Sequence, residues 1–266
     1  MKDYIETNKA LWNARTEVHF DSSFYDNEGF LETLDSLTEI EKDLLGDIKG
    51  KRIIHLQCHF GQDSISLAQM GASVTALDFS DNAIKRAIEL NKRAGTDVEF
   101  ILGDVFKARE LCKGDFDLVF TSFGVLGWLP DMDAWAGVVK SLLKPDGKLV
   151  LAEFHPVVWM FSDDFTHVQY PYSSPEGFRE QLEGTYTDRN APITLESVFW
   201  NHGLANVMQA LLKKSMVIND FQEYNYSPHN SFQPTVQTGH RRFMIKGMEE
   251  KLPMVYSIIA ENTNNS

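Results

Sequence analysis

The sequence predicts an α/β fold built on a doubly wound, mostly parallel sheet. Three observations carry this. From Arg52 to Phe154 short apolar runs alternate with amphipathic stretches of helical period. The runs end in distinctive punctuation, at Gln57 to Gly61, at Asp78 and at Asp104. The hydrophobic content, 43% of 266 residues, supports a core large enough to cover such a sheet on both faces. Sheets of this kind bind ligands outside the carboxyl ends of their strands, so function is to be sought at that punctuation.

The elements follow in order. Tyr4 to Arg15 reads as a helix carrying Ile5, Leu11 and Trp12, followed by a mixed aromatic segment from His19 to Phe30. Thr38 and Glu41 have the spacing of a capping box before Leu44 and Leu45, and Gly46 supplies a stop. The regular alternation then predicts strand 52–57, helix 62–70, strand 73–78, helix 82–93, strand 98–102, strand 116–121, helix 132–143 and, after the turn Lys144 to Gly147, strand 148–154. Beyond Pro156 an aromatic and proline-bearing stretch, 157–192, precedes strand-like 193–200, helix 204–214, strand-like 216–224, an irregular 226–251 and a last strand 255–260. We expect one domain over 1–266: a helical cap (1–50), a core (51–156), an insert (157–200) and a closing helix and strands (201–266). Cap and insert are candidates for a lid, and the polar tail 261–266 is expected to fray.

Composition narrows the function classes. No run approaches the roughly 20 apolar residues needed to span a bilayer. The first residues, MKDYIETNKALW, lack the order of a secretory signal, which points to the cytoplasm. Cys58 and Cys112, the only cysteines, form neither a disulfide framework nor a Cys-x-x-Cys metal pair, and no metal is expected. A net charge of −13 disfavours a nucleic-acid partner and leaves a small molecule as the expected one; it does not bear on oligomeric state.

The segments IIHLQCHFGQDS, SVTALDFSDNAIKRA, VEFILGDV, FDLVF and LKPDGKLVLAEF together resemble the class I S-adenosylmethionine-dependent methyltransferases, over roughly Lys51 to Pro156. FYDNEGF and LQCHFGQD look like a subgroup of generic small-molecule methyltransferases. The resemblance implies a seven-stranded Rossmann-like sheet with N-terminal helices and an insert after the fifth strand, S-adenosyl-L-methionine as cofactor, and methyl transfer to a small acceptor. It also exposes a departure. The family loop reads acidic-x-Gly-x-Gly-x-Gly, whereas His55, Gln57, His59 and Gly61 stand at the matching positions. Glycine permits positive φ and close backbone approach, so a ligand here must stand farther off or meet the new side chains.

The resemblance implies roles at the strand ends. Asp78 matches the acid that accepts the ribose hydroxyls, a carboxylate having lone pairs enough for both; otherwise it caps the next helix. Phe79 would pack on the adenine or in the core. Asp104 would accept from the exocyclic amine while Val105 N–H donates to the ring; otherwise Asp104 forms a turn. Gly61 opens a helix whose N-terminus attracts the methionine carboxylate. Gln57 and His59 either face the cofactor or fold away, and Phe123 lies at the methyl-transfer rim. Among Trp12, Arg15, His19, Phe24 and Tyr25, which pack the N-terminal helix or close over the methionine end, Arg15 is the partner proposed for the carboxylate.

Transfer from a sulfonium needs no covalent nucleophile on the enzyme. A hydroxyl or ammonium acceptor needs a base, and His155, just past the fifth strand, is the histidine placed for it; its alternative is to position the insert. The aromatic residues Trp128, Trp159, Phe161, Tyr170, Tyr172 and Trp200 suggest an aromatic or heterocyclic acceptor, methylated at oxygen or nitrogen. Two rivals remain: a nicotinamide-dependent oxidoreductase, disfavoured because HLQCHFGQD lacks Gly-x-Gly-x-x-Gly, and a non-catalytic S-adenosylmethionine-binding protein.

Overall fold

The structure, a computed structural model, describes residues 3–263. Its helices are α1 (Tyr4–Phe20), α2 (Asn27–Thr33), α3 (Glu39–Leu45), α4 (Gln62–Gln69), α5 (Asp81–Ala94), α6 (Ala108–Leu111), α7 (Met132–Leu142) and α8 (Leu204–Lys213). Its strands are β1 (Arg52–Leu56), β2 (Ser73–Asp78), β3 (Glu99–Leu102), β4 (Phe116–Ser122), β5 (Leu143–Phe154), β6 (Phe178–Glu183), β7 (Thr194–Phe199), β8 (Val217–Tyr224), β9 (Thr235–Gly239), β10 (Arg242–Ile245) and β11 (Val255–Glu261). Of the expected frayed tail, Glu261 ends β11, and 264–266 lie outside the described residues.

Seven strands form one sheet in the order β3-β2-β1-β4-β5-β11-β8. The first five are parallel, and β11 runs antiparallel to both of its neighbours. Side chains alternate across the sheet, so Ile54, Leu56 and Val119 pack on one face with Trp135 and Val139 of α7 and Leu211 of α8. Ile53, Phe120 and Val150 pack on the other with Ile65 of α4 and Ile84 and Leu90 of α5. A third cluster, around Ile40, Phe154, Val158, Phe232 and Ile245, seats α3 and the later segments beyond the end of β5.

Local chemistry accounts for the boundaries. The Thr38 and Glu41 capping box forms, with Thr38 N–H donating to Glu41 Oε2 at 2.8 Å. Ser80 Oγ caps α5 by accepting from Ala83 N–H, and Gly95 closes that helix at φ 68°. Three pieces lie where the sequence suggested irregular chain. The seven-residue α2 begins inside the aromatic segment and runs past its end, β6 pairs with β7 in the insert, and β9 with β10 makes a hairpin. Among the described residues no helix is long and apolar enough to cross a membrane.

Candidate cofactor and acceptor site

The strand ends are covered by α1. This helix is buried along Asn8, Leu11, Arg15 and His19, a stripe at helical spacing that is polar in three of its four members. It is held on both sides. Asn8 exchanges two hydrogen bonds with the backbone of Val198 in β7, at 2.7 and 2.9 Å. On the sheet side Asn13 Oδ1 accepts from Ser80 Oγ (2.7 Å), and Lys9 pairs with Asp81 at 2.8 Å. Two surface clefts, of about 510 Å³ beside α8 and about 570 Å³ beyond the end of α1, include none of Asp78, Asp104 or His59. Asp104, Phe79 and His59 are only partly buried, whereas Asp78 is buried.

Beneath α1 the loop after β1 keeps a glycine-like backbone without the glycines. Gln57 and His59 have φ of 58° and 50°, and Gly61 has 81°. Left-handed conformations at non-glycine residues cost roughly 1–3 kcal/mol each and persist only where the surroundings hold them. The restraints are visible. His59 N–H donates to Asp78 Oδ2 (2.9 Å), Phe60 N–H to His59 Nδ1 (2.8 Å), and Gln57 Nε2 to Val125 O (3.0 Å). Gly61 cannot be replaced in the same way: a Cβ there would stand 2.5 Å from Phe100 Cζ. The departure seen in sequence is thus one of side chains and not of backbone course.

Asp78 is buried at the end of β2, with Oδ1 accepting from Ser80 N–H and Oδ2 from His59 N–H, both at 2.9 Å. Burial pushes its carboxyl up to about 6, against the pull of those N–H groups. Two lone-pair directions remain for further donors. Asp78 registers with Leu102 of β3, so Asp104 stands two residues beyond its neighbour. Asp104 Oδ1 caps a short 3-10 turn through Phe106 N–H (3.0 Å), beside buried Val105. Tyr4 of α1 is near enough that Asp104, after burial, helps to push its hydroxyl up to about 12. Phe79 is partly buried between the two acids in sequence.

On α1, Arg15 is 7% exposed, lies over the Trp12 and Trp128 rings at 5.4 and 5.8 Å, and has a buried Nε without a partner. Burial lowers its pKa. Gln57 Oε1 and His19 Nε2 are likewise buried and unpaired. Buried polar atoms without a partner are rare in folded proteins, and three of them gather here around α1 and the loop after β1. A zwitterionic amino-acid tail supplies both kinds of missing partner, so these residues fit the methionine moiety of S-adenosylmethionine.

The loop past β4 carries Phe123, the residue expected at the methyl-transfer rim. Phe123, at φ 42°, sits 4.9 Å from the His229 ring and 5.4 Å from Phe154. Its loop hangs on Glu153, whose buried carboxylate accepts from the N–H groups of Gly124, Val125, Leu126 and Phe154. His155 turns elsewhere. Its Nδ1 accepts from Val157 N–H, and its Nε2 lies 2.9 Å from Glu223 Oε1, off the line of a hydrogen bond, with its ring against Tyr256. His229, in the stretch read as irregular, is the histidine at the Phe123 rim; burial, then Arg241, lowers it to about 3. Glu41, buried near Ser122 and Asp63, is pushed up to about 7, chiefly by burial. No sequence signal separates Glu41 from its capping role, and nothing in its surroundings announces His229.

Comparison with known proteins agrees with this geometry. Residues 47–198, more than half of the chain, match the family described as a methyltransferase domain. The chain is 35% identical over 125 residues to a demethylmenaquinone methyltransferase of Renibacterium salmoninarum, covering 47% of this chain and 50% of that protein. It is 30% identical over 132 residues to a ubiquinone biosynthesis O-methyltransferase of Xanthomonas euvesicatoria pv. vesicatoria, covering 48% and 55%. The chain thus spans about half the length of the curated relatives it matches. The fold is shared with a solved S-adenosylmethionine-dependent methyltransferase of Mesorhizobium loti, at TM-score 0.59 and 22% identity over 86% of this chain and 99% of that one. The chain belongs to the methyltransferase-domain family, among the class I S-adenosylmethionine-dependent methyltransferases.

Proposed function

We propose that the protein transfers the methyl group of S-adenosylmethionine to oxygen or nitrogen of a small aromatic or heterocyclic acceptor in the cytoplasm, with a quinone-type ring as the first acceptor to try. The observation that carries the reading is the pair Asp78 and Asp104 at the ends of adjacent parallel strands beneath one helix. In this reading Asp78 holds the ribose hydroxyls on its free lone pairs. Asp104 takes the exocyclic amine of adenine on Oδ2, Val105 N–H meets the ring, and Phe79 lies against it. Gln57, His59 and Gly61 border the methionine portion, and Arg15 meets its carboxylate. The cofactor supplies, when bound, a methyl group already joined to a good leaving group; the protein holds the acceptor in line with it.

Phe123, Phe154, Phe24 and His229 would wall the acceptor, an arrangement suited to a flat ring. The names of the two curated relatives support a quinone-type ring. A net charge of −13 supports a small acceptor over a phosphate backbone. His229, at the Phe123 rim, is placed to take the acceptor's proton in place of His155, whose ring nitrogens face Val157 and Glu223; burial that keeps it neutral also makes it a weak base, so it takes the proton as methylation of the oxygen acidifies it.

Two outcomes are expected. With methyl-labelled S-adenosylmethionine and a panel of hydroxylated quinones and phenols, label moves to at least one acceptor; S-adenosylhomocysteine binding with no transfer to any would favour a non-catalytic role. With an accepted substrate, His229→Phe lowers kcat on the order of 100-fold while the affinity for S-adenosylhomocysteine stays within about threefold; a kcat loss confined to His155→Asn would restore His155 as the base. Asp104→Asn should weaken S-adenosylhomocysteine on the order of 10-fold by calorimetry and spare an analogue lacking the exocyclic amine. Equal losses would remove Asp104 from adenine recognition.

A further inference from the structure

His19 of α1 and His59 beneath it form a chain of hydrogen bonds whose direction follows from one backbone donor. Phe60 N–H donates to His59 Nδ1 at 2.8 Å, so that nitrogen carries no proton. The neutral ring must then bear its proton on Nε2, which stands 3.2 Å from His19 Nδ1. His19 Nδ1 becomes the acceptor, and the proton of His19 is forced onto Nε2. That Nε2–H is buried and has no partner. Arg15, one helical turn earlier on the same stripe, presents a second buried donor without a partner, its Nε. The nearby hydroxyls of Tyr25 and Tyr186 bond each other at 2.5 Å. Two buried donors one helical turn apart, one of them charged, lack the same thing: an anionic acceptor.

We infer that Arg15 and His19 together seat the methionine carboxylate, and that His59 is a positioning residue which fixes His19 as a donor. The inference rests on S-adenosylmethionine as the cofactor. It also accounts for the side chain found where the family has glycine. In a glycine-rich loop backbone N–H groups approach the ligand, but here the His59 and Phe60 N–H groups are engaged by Asp78 and by the His59 ring. The donor function passes through the imidazole to α1. Burial holds His59 and His19 neutral, at about 3 and about 2, so the single-proton state that the chain requires persists at neutral pH. Because both donors belong to α1, the helix that covers the site, the carboxylate would fasten the cover when α1 closes on it.

The test compares S-adenosylhomocysteine with its decarboxylated analogue, which keeps the sulfur and the amine, by calorimetry on the full chain. His19→Phe should weaken S-adenosylhomocysteine on the order of 10-fold or more and leave the analogue within about threefold. His19→Gln, whose amide N–H reaches toward the place of Nε2, should recover most of the loss. Without any ligand, nitrogen-15 spectra of the wild-type protein should show the proton of both histidines on Nε2, a readout that stands even if a variant does not fold. Equal weakening of both ligands by His19→Phe, no recovery with Gln, or a proton on Nδ1 of either ring would overturn the inference. Wild-type protein that binds neither ligand would sink the cofactor reading as well, which separates that failure from failure of the His19 role.

Discussion

Glu153→Ala is expected to cost at least about 4 kcal/mol of unfolding free energy, the largest loss from any single substitution discussed for this protein. The side chain is 4% exposed and accepts from four backbone N–H groups, three of them successive residues of the loop after β4. Removing it orphans buried donors at roughly 1–3 kcal/mol each and opens a void at the end of β5. Burial keeps the carboxyl above its usual range even with these partners, so removing the charge alone brings some relief. Glu153→Gln, which retains one accepting oxygen, should therefore lose less, on the order of 2 kcal/mol. Urea denaturation of both variants gives the comparison. An alanine variant within 1 kcal/mol of wild type would mean that the loop carrying Phe123 is held by something else.

Acid should weaken the fold well before ordinary carboxylates titrate. His19, His55 and His59 are lowered to about 2, about 3 and about 3, chiefly by burial. Below about pH 6.5 the unfolded chain takes up these protons and the folded chain does not, so their contribution is whole above that pH and is lost as pH falls toward the folded values. Three such groups give a slope of up to about 4 kcal/mol per pH unit. Asp78 and Glu41 oppose it. Their folded values are raised to about 6 and about 7, so they favour the folded state at low pH and lose that contribution as pH rises through those values. The two together return up to about 2.7 kcal/mol per unit. Counting these five groups alone, stability climbs by about 1.4 kcal/mol per unit between about pH 4.5 and 6; His229, lowered to about 3, adds in the same direction, and Asp63 and Glu153, whose carboxyls burial also raises, subtract from it. Denaturant midpoints across that range test the sign, and a flat or falling profile would place the balance with the carboxylates.

The parts of the site that were legible in sequence are those fixed by strand ends. Asp78 and Asp104 could be placed because each follows a short apolar run, and a strand's last residue sets where the next side chain stands. Helix α3 was readable from its capping box, and α5 and α7 from the alternation of strand and helix. The β6 to β7 hairpin was half missed because β6, FREQLE, alternates partly buried with exposed positions while carrying three charges. Its partner surface is α1, which lies far away in sequence. The buried face of α1 was harder to read for a related reason, although Arg15 was singled out on it: a helix covered on both sides does not separate its apolar and polar residues, so the ordinary amphipathic signal is weak. The signal that remained was a polar buried stripe, Asn8, Arg15 and His19, at helical spacing. His229 could not be found this way, because the loop between β8 and β9 reaches the site through tertiary packing alone.

The most direct measurement is a crystal structure of the protein with S-adenosylhomocysteine bound. The account requires the ribose hydroxyls on Asp78, the adenine between Phe79 and Val105 with its amine at Asp104, and the amino-acid tail under α1 beside Arg15. Ligand bound in a surface cleft such as that beside α8, or at the strand ends in the reverse direction with its carboxylate at Asp104, would contradict it.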